Sequence, residues 1–191
     1  MLDETQRIAL LRIARDALTR FLRGDSPADA EACFAIADSS PGVFVSLYLG
    51  PDLRGCIGVI ASRSPLHEMV ASLAVSAATE DPRFDPVRIE ELASLRFEIS
   101  LLSPPRPISH AREIVVGRDG VIVGSGVRGA LLLPQVAASQ GWTAEQLLSA
   151  ACRKAGLPPS AWSGGAVELQ AFTAEVFGEE REPHPPAEGA L

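Results

Sequence analysis

Asp52-Leu53-Arg54-Gly55-Cys56-Ile57-Gly58-Val59 is the stretch whose reading decides the fold. Leu53, Ile57, Val59 and Ile60 are strand-compatible, and the turn signal Gly50-Pro51-Asp52 precedes them. A regular strand alternates its side chains, so Arg54, Cys56 and Gly58 are expected on one face and Gly55, Ile57 and Val59 on the other. Two glycines weaken a strand interior, and one usual reason to keep them is close approach of another backbone or a ligand. A guanidinium beside Cys56 favours the thiolate where the thiol is partly exposed. The plainer alternative is a small buried cysteine with Arg54 at an exposed edge, because cysteine is among the most buried residue types.

Outward from this stretch, Val43 to Leu49 is β-rich and is expected to return through the turn as the other arm of a hairpin. On the other side, Ser64-Pro65 reads as an N-cap followed by proline at the first helical position, with a helix from Pro65 to about Thr79. Helix N-termini attract anions. Strand end, thiol, arginine and helix start are therefore expected to form one corner that accepts a small anionic ligand. Asp81-Pro82-Arg83-Phe84-Asp85-Pro86 is a proline-punctuated loop, and Arg88 to Leu92 a helical turn. Leu95, Phe97, Ile99 and Leu101 alternate with Arg96, Glu98 and Ser100, the clearest period-two signal in the chain.

Further along, Ile114-Val115-Val116 and Val121-Ile122-Val123 flank Gly117-Arg118-Asp119-Gly120, which reads as a second hairpin. Arg128 to Leu133 is a strand candidate, Pro134 to Gln140 a short helix stopped at Gly141, and Val167 to Phe177 a last strand. Thr143 with Gln146 forms a capping-box pattern for a helix ending near Ala155. The same pattern at Asp3 and Gln6 opens an amphipathic helix to Arg23, its apolar stripe read as Ile8, Leu11, Ala14, Leu18, Phe21 and Leu22. Asp25 to Ala32 has turn composition, Cys33-Phe34-Ala35-Ile36 is a short apolar run, and 178–191 reads as a polar, proline-rich disordered tail. Hairpins with intervening helices predict an α+β fold: a mostly antiparallel sheet with flanking helices, residues 1–177 forming one domain of two packed subdomains.

Bulk properties narrow the class. A chain of 191 residues with 47% hydrophobic content buries a substantial core without staples. No apolar run reaches the roughly 18 residues that span a bilayer, and Asp3, Glu4 and Gln6 stand where a signal peptide needs basic residues. Cys33, Cys56 and Cys152 are odd in number and widely spaced, which suits a reducing cytosol; a cytoplasmic protein is expected. A net charge of −7 argues against a general nucleic-acid footprint.

Motifs with catalytic overtones each have a plainer structural alternative. Gly124-Ser125-Gly126-Val127-Arg128-Gly129 matches the dinucleotide-binding spacing, but a strand and a break follow it rather than a helix, so it reads as a glycine-rich turn. His67-Glu68 lacks the second histidine of a zinc-protease helix, since Ala71 occupies that place. No paired metal spacing or cofactor motif is present, so neither a metal nor a cofactor is expected. His67 beside Cys56 would make a nucleophile pair, against the plainer solvent-facing histidine of a first helical turn. Cys152, among Leu147, Leu148 and Ala151, is expected to be buried, and Trp142 and Trp162 to anchor a core.

Leu53-Arg54-Gly55-Cys56-Ile57-Gly58 resembles the signature of the AMMECR-domain family, AmmeMemoRadiSam system protein A. The resemblance continues in order through Asp81-Pro82-Arg83-Phe84, Leu101-Leu102-Ser103-Pro104, Leu132-Leu133-Pro134-Gln135-Val136-Ala137, Gly141-Trp142, Cys152-Arg153-Lys154-Ala155-Gly156-Leu157 and Trp162. It implies a cleft lined by Leu53, Gly55, Ile57, Gly58 and His67, with Asp81 and Arg83 as a charge pair beside Cys56. It also implies protein partners, a Memo-type protein and a radical-SAM enzyme, and an accessory or adaptor role. The alternative is a small enzyme or modification acceptor in which Cys56 is the nucleophile and Arg54 stabilises an anion. No membrane association is expected.

Overall fold

The computed structural model describes residues 2–25, 42–60 and 64–179. The Cys33–Ile36 run, all but the first residue of the turn-rich segment before it and all but the first two residues of the expected tail lie outside the described residues. The chain divides into two compact units, Met1–Ser100 with Val176–Leu191, and Leu101–Glu175. The fold is α+β, with antiparallel strand pairing and flanking helices.

The first unit begins with α1, Glu4–Arg23. Its start is fixed locally: the Gln6 N–H donates to Asp3 Oδ1 at 2.8 Å and the Asp3 N–H donates to Gln6 Oε1 at 3.0 Å. Gly24, at φ 75°, ends it in the left-handed conformation that glycine adopts without penalty. The buried stripe is Leu10, Leu11, Ala14 and Leu18, whereas Ile8 and Phe21 are half exposed, so the stripe is narrower than the apolar spacing suggests. Strands β1 (Gly42–Leu49) and β2 (Asp52–Val59) form the expected hairpin, with Leu49 opposite Asp52 and Gly50 at φ 56° in the two-residue turn. β1 lies between β2 and β3 (Leu95–Leu102), leaving β2 at the sheet edge. Val43, Val45, Leu47, Phe97 and Ile99 are fully buried on alternate positions, as the period-two pattern requires.

Helix α2 (Leu66–Thr79) packs against α1, β1 and β2. It starts one residue later than read from sequence: Pro65, extended at φ −53° and ψ 141°, is itself the N-cap. A 3₁₀ segment, Ile89–Ser94, leads into β3. Where the chain re-enters the unit, Arg15 makes a two-point ion pair with Glu179 (2.7 and 2.6 Å) and donates to the Leu92 and Leu95 carbonyls. The same carboxylate accepts the Phe97 N–H at 2.9 Å, so one glutamate ties α1 to β3.

In the second unit β5 (Asp119–Ser125) pairs with β6 (Arg128–Leu132) on one side and β7 (Glu168–Gly178) on the other, and the short β4 (Arg106–Pro107) also pairs with β7. This corrects the second expected hairpin. Residues 114–118 are not a strand, because the nearly buried Asp119 carboxylate accepts the Val115 N–H at 2.9 Å and holds 115–119 as a turn, with Gly117 at φ 85°. The hairpin is instead β5–β6, closed at Gly126-Val127, so the dinucleotide-like glycines are its turn. Helices α3 (Pro134–Gln140) and α4 (Ala144–Lys154) follow, the latter opened by the Thr143–Gln146 capping box. Cys152 is fully buried in a core with Leu147, Leu148, Val121 and Val123, against which Trp142 and Trp162 pack.

Candidate functional site

Strand β2 is not regular. Tyr48 pairs with Leu53 but Leu47 pairs with Gly55, so Arg54 is the extra residue of a bulge and has no partner across the ladder. This re-aims its side chain. The Arg54 guanidinium donates to Glu91 from Nε (2.8 Å) and Nη2 (3.1 Å), to the Asp85 carbonyl (2.8 Å) and towards that of Pro86 (3.4 Å). The pairing in turn holds the Glu91 carboxyl below its ordinary range, with Arg54 as the main cause. Arg54 borders an open cleft of about 550 Å³ with Asp85, Pro86, Arg88, Glu90 and Glu91. It is committed there, so the anion-stabilising position beside Cys56 is not where its charge lies.

The residue whose charge does lie near Cys56 is Arg83. After the bulge Cys56 faces Ser46, whose hydroxyl donates to the Cys56 Sγ at 3.3 Å. The Cys56 N–H donates to Asp81 Oδ2 at 2.9 Å, and Arg83 Nη2 reaches the Cys56 carbonyl at 3.5 Å. Asp81 and Arg83 are joined by Nε to Oδ1 at 2.9 Å and Nη2 to Oδ2 at 2.6 Å. Asp81 is almost fully buried, while the Arg83 side chain is 55% exposed. Hydrogen bonding to Arg83, only partly opposed by burial, brings the Asp81 carboxyl down to about 2. The pair thus covers the outer edge of β2 as a neighbouring strand would, satisfying a donor and an acceptor that an open edge exposes.

Both glycines of the signature have packing reasons. A Cβ on Gly55 would sit 2.0 Å from the Ala77 carbonyl oxygen, so β2 and α2 approach backbone to backbone there. A Cβ on Gly58 would meet the Phe44 ring at 2.2 Å and the Val43 carbonyl at 2.5 Å. Protein fills both spaces. The Ala77 contact also corrects the expected anion corner: the end of α2 next to Gly55 is its C-terminal end. The N-terminus at Leu66 is eleven residues away, about 16 Å along the axis. His67, half-buried in the first turn of α2, forms no hydrogen bond with Cys56 among the described residues. Leu53 and Ile57 are half-buried opposite Tyr48 and Val45.

Four residues missed from sequence complete the surroundings: Ser46, Tyr48, Arg96 and Glu98. The Tyr48 hydroxyl donates to Glu98 Oε1 at 3.2 Å, and the Arg96 guanidinium lies over the Tyr48 ring, 4.4 Å from its centroid. Burial foremost, then the Glu98 charge and hydrogen bond, push the Tyr48 phenol up to about 12. The signal that pointed to them was available in part, since Ser46 interrupts an apolar strand and Arg96 and Glu98 occupy the polar half of the β3 alternation.

Cys56 is half-buried and Cys152 buried, and neither is in a disulfide. No helix of the described residues is long and apolar enough to cross a membrane, and no three His, Cys, Asp or Glu side chains among them converge as a metal site does.

Comparison with known proteins extends over almost the whole chain. The AMMECR1 family model matches residues 11–177. Protein MK0488 of Methanopyrus kandleri is 41% identical over 186 residues, 93% of this chain and 89% of that protein. A protein of Thermococcus gammatolerans is 43% identical over 187 residues, covering 90% and 89% of the two chains. The crystal structure of the uncharacterized protein PH0010 from Pyrococcus horikoshii superposes with a TM-score of 0.84 at 40% identity, covering 90% of each chain. The order of strands and helices, the signature stretch on β2 and these likenesses agree: the chain belongs to the AMMECR1 family.

Proposed function

We propose that this protein is an accessory protein that docks protein partners on the pinned edge of β2, around Cys56 and Arg83, and performs no chemistry at Arg54. The observation that carries this reading is the mutual commitment of the charged groups. Arg54 is held by Glu91 and two carbonyls, and Asp81 by Arg83 and the Cys56 N–H. Pairs locked in this way present a fixed surface, while a catalytic acid, base or anion clamp needs capacity left for substrate. Along this edge the Arg83 side chain is 55% exposed and Cys56 half-buried, and exposed arginine is well suited to a protein interface. The partners implied by the family resemblance are a Memo-type protein and a radical-SAM enzyme, acting from a cytoplasmic location. Co-purification of each with the full chain tests this. Arg83→Glu, with its urea midpoint checked, is expected to weaken capture at least fivefold; unchanged capture refutes the docking edge.

A second reading, Cys56 as nucleophile or modification acceptor, is favoured by one observation: in this half-buried residue the thiol receives the Ser46 hydroxyl hydrogen bond. Under that reading the anion-facing cation is Arg83 and not Arg54. The pH dependence of Cys56 alkylation, resolved by peptide mass spectrometry, separates the two. Reaction well below the ordinary thiol range of about 8.5 supports an activated thiol.

A further inference from the structure

The second unit contains an open cleft of about 670 Å³ that takes no part in the reading above. Its volume is that of a small-molecule site. Ile108 and Leu169, each 7% exposed, and the half-buried Val167 and Trp162 supply an apolar wall. The Trp162 indole is fixed in place, since Nε1–H donates to Ser149 Oγ at 3.0 Å. The rim carries two opposite charges, Arg112 from the 3₁₀ turn Ala111–Glu113 and Glu145 from the first turn of α4. Neither side chain makes a hydrogen bond or ion pair with another described residue. Elsewhere in this unit the arginines at 106, 118 and 128 are engaged, and Arg153 on α4 does not line the cleft.

We propose that this cleft binds a short zwitterionic peptide with an apolar side chain. The peptide carboxylate pairs with Arg112, whose planar guanidinium suits two-point carboxylate recognition. The ammonium terminus pairs with Glu145, and the apolar side chain lies against Trp162. Arg112 and Glu145 form no ion pair with each other, so a ligand that carries two separated charges can engage both. A peptide of about three residues, at roughly 3.3 Å per residue, holds its terminal charges further apart than a single amino acid does.

The test is an amide NMR titration of the full chain with the tripeptide Ala-Phe-Ala bearing both free termini. Saturable shifts confined to residues 108–112, 145 and 161–169 are expected. Acetylating the peptide N-terminus and the variant Glu145→Ala should each weaken binding about fivefold, the loss of one partly screened ion pair, and together no further. Amidating the C-terminus and Arg112→Ala should behave in the same linked way. Both side chains are exposed, so their removal leaves the fold intact. The proposal is overturned by an absence of saturable shifts at millimolar peptide, or by an affinity indifferent to blocked termini. Neither result bears on the docking edge of β2, which is tested by partner capture.

Discussion

The carboxylate of Asp81 accepts the Cys56 backbone N–H at 2.9 Å, so a residue just beyond α2 takes the place of a strand along the edge of β2. Asp81 is also the only described carboxylate paired with Arg83. Asp81→Asn keeps an acceptor for Cys56 but loses the charge. After allowing for solvent screening of the half-exposed Arg83, the expected cost at neutral pH is about 1–2 kcal/mol. The sign of the pH dependence follows from the carboxyl being lowered from 3.8 to about 2. Its contribution is complete above the unfolded value and is lost as pH falls through the folded one. Urea unfolding of both proteins across that range is expected to show a constant gap down to about pH 5 that then closes. A gap independent of pH would mean that the ion pair does not stabilise the edge.

Much of the architecture was legible because its determinants are local. The capping boxes at Asp3–Gln6 and Thr143–Gln146 and the alternation of β3 each lie within one element, and each element formed where the pattern placed it. The site was less legible because its partners come from afar and its register is irregular. Counting back from the Leu49–Asp52 pair puts Ser46 opposite Gly55; the bulge moves it opposite Cys56 and turns Arg54 towards Glu91. Gly55 beside it is compatible with a bulge but equally with close backbone approach, so the sequence does not single the bulge out. In the second unit the expected strand at 114–116 has β-rich composition, but the buried Asp119 carboxylate draws the Val115 N–H and the Arg118 side chain into a turn. Propensity loses there to a buried charge that must be satisfied.

Gly55 and Gly58 differ from ordinary strand glycines in what stands where a side chain would be. Gly55→Ala drives a methyl group into the Ala77 carbonyl, a backbone atom that moves only with α2, and is expected to destabilise by about 3 kcal/mol or more. Gly58→Ala meets Phe44 Cγ, which ring rotation does not move, and the Val43 carbonyl, and is expected to destabilise on a similar scale. Urea midpoints measure both, and an unchanged midpoint for Gly55→Ala would show that β2 and α2 are not in such close approach.

The two described cysteines should separate under native alkylation. Cys56 is half-buried on an edge strand and Cys152 has no exposed surface within the core of the second unit. Reaction with iodoacetamide followed by peptide mass spectrometry is expected to label Cys56 at least 100-fold faster than Cys152, whose labelling requires opening of its unit. Equal rates would contradict the burial of α4. Ser46→Ala is expected to slow Cys56 at neutral pH, because it removes the hydroxyl that donates to sulfur.

Tyr48 offers a clean titration, since it is the only tyrosine in the chain. Its phenol is raised from 10.0 to about 12, first by burial and then by the Glu98 charge and hydrogen bond, with Arg96 acting in the opposite sense. Ultraviolet absorbance of the phenolate is therefore expected to rise about two pH units late in the native protein and near 10 in urea. Raised folded pKa means that the contribution to stability is complete below the unfolded value and disappears as pH rises through the folded one. Glu98→Gln removes the negative charge and leaves burial and Arg96 in place, so the native midpoint should fall towards 10 without reaching the behaviour of an open tyrosine. A midpoint unmoved by Glu98→Gln would assign the whole shift to burial.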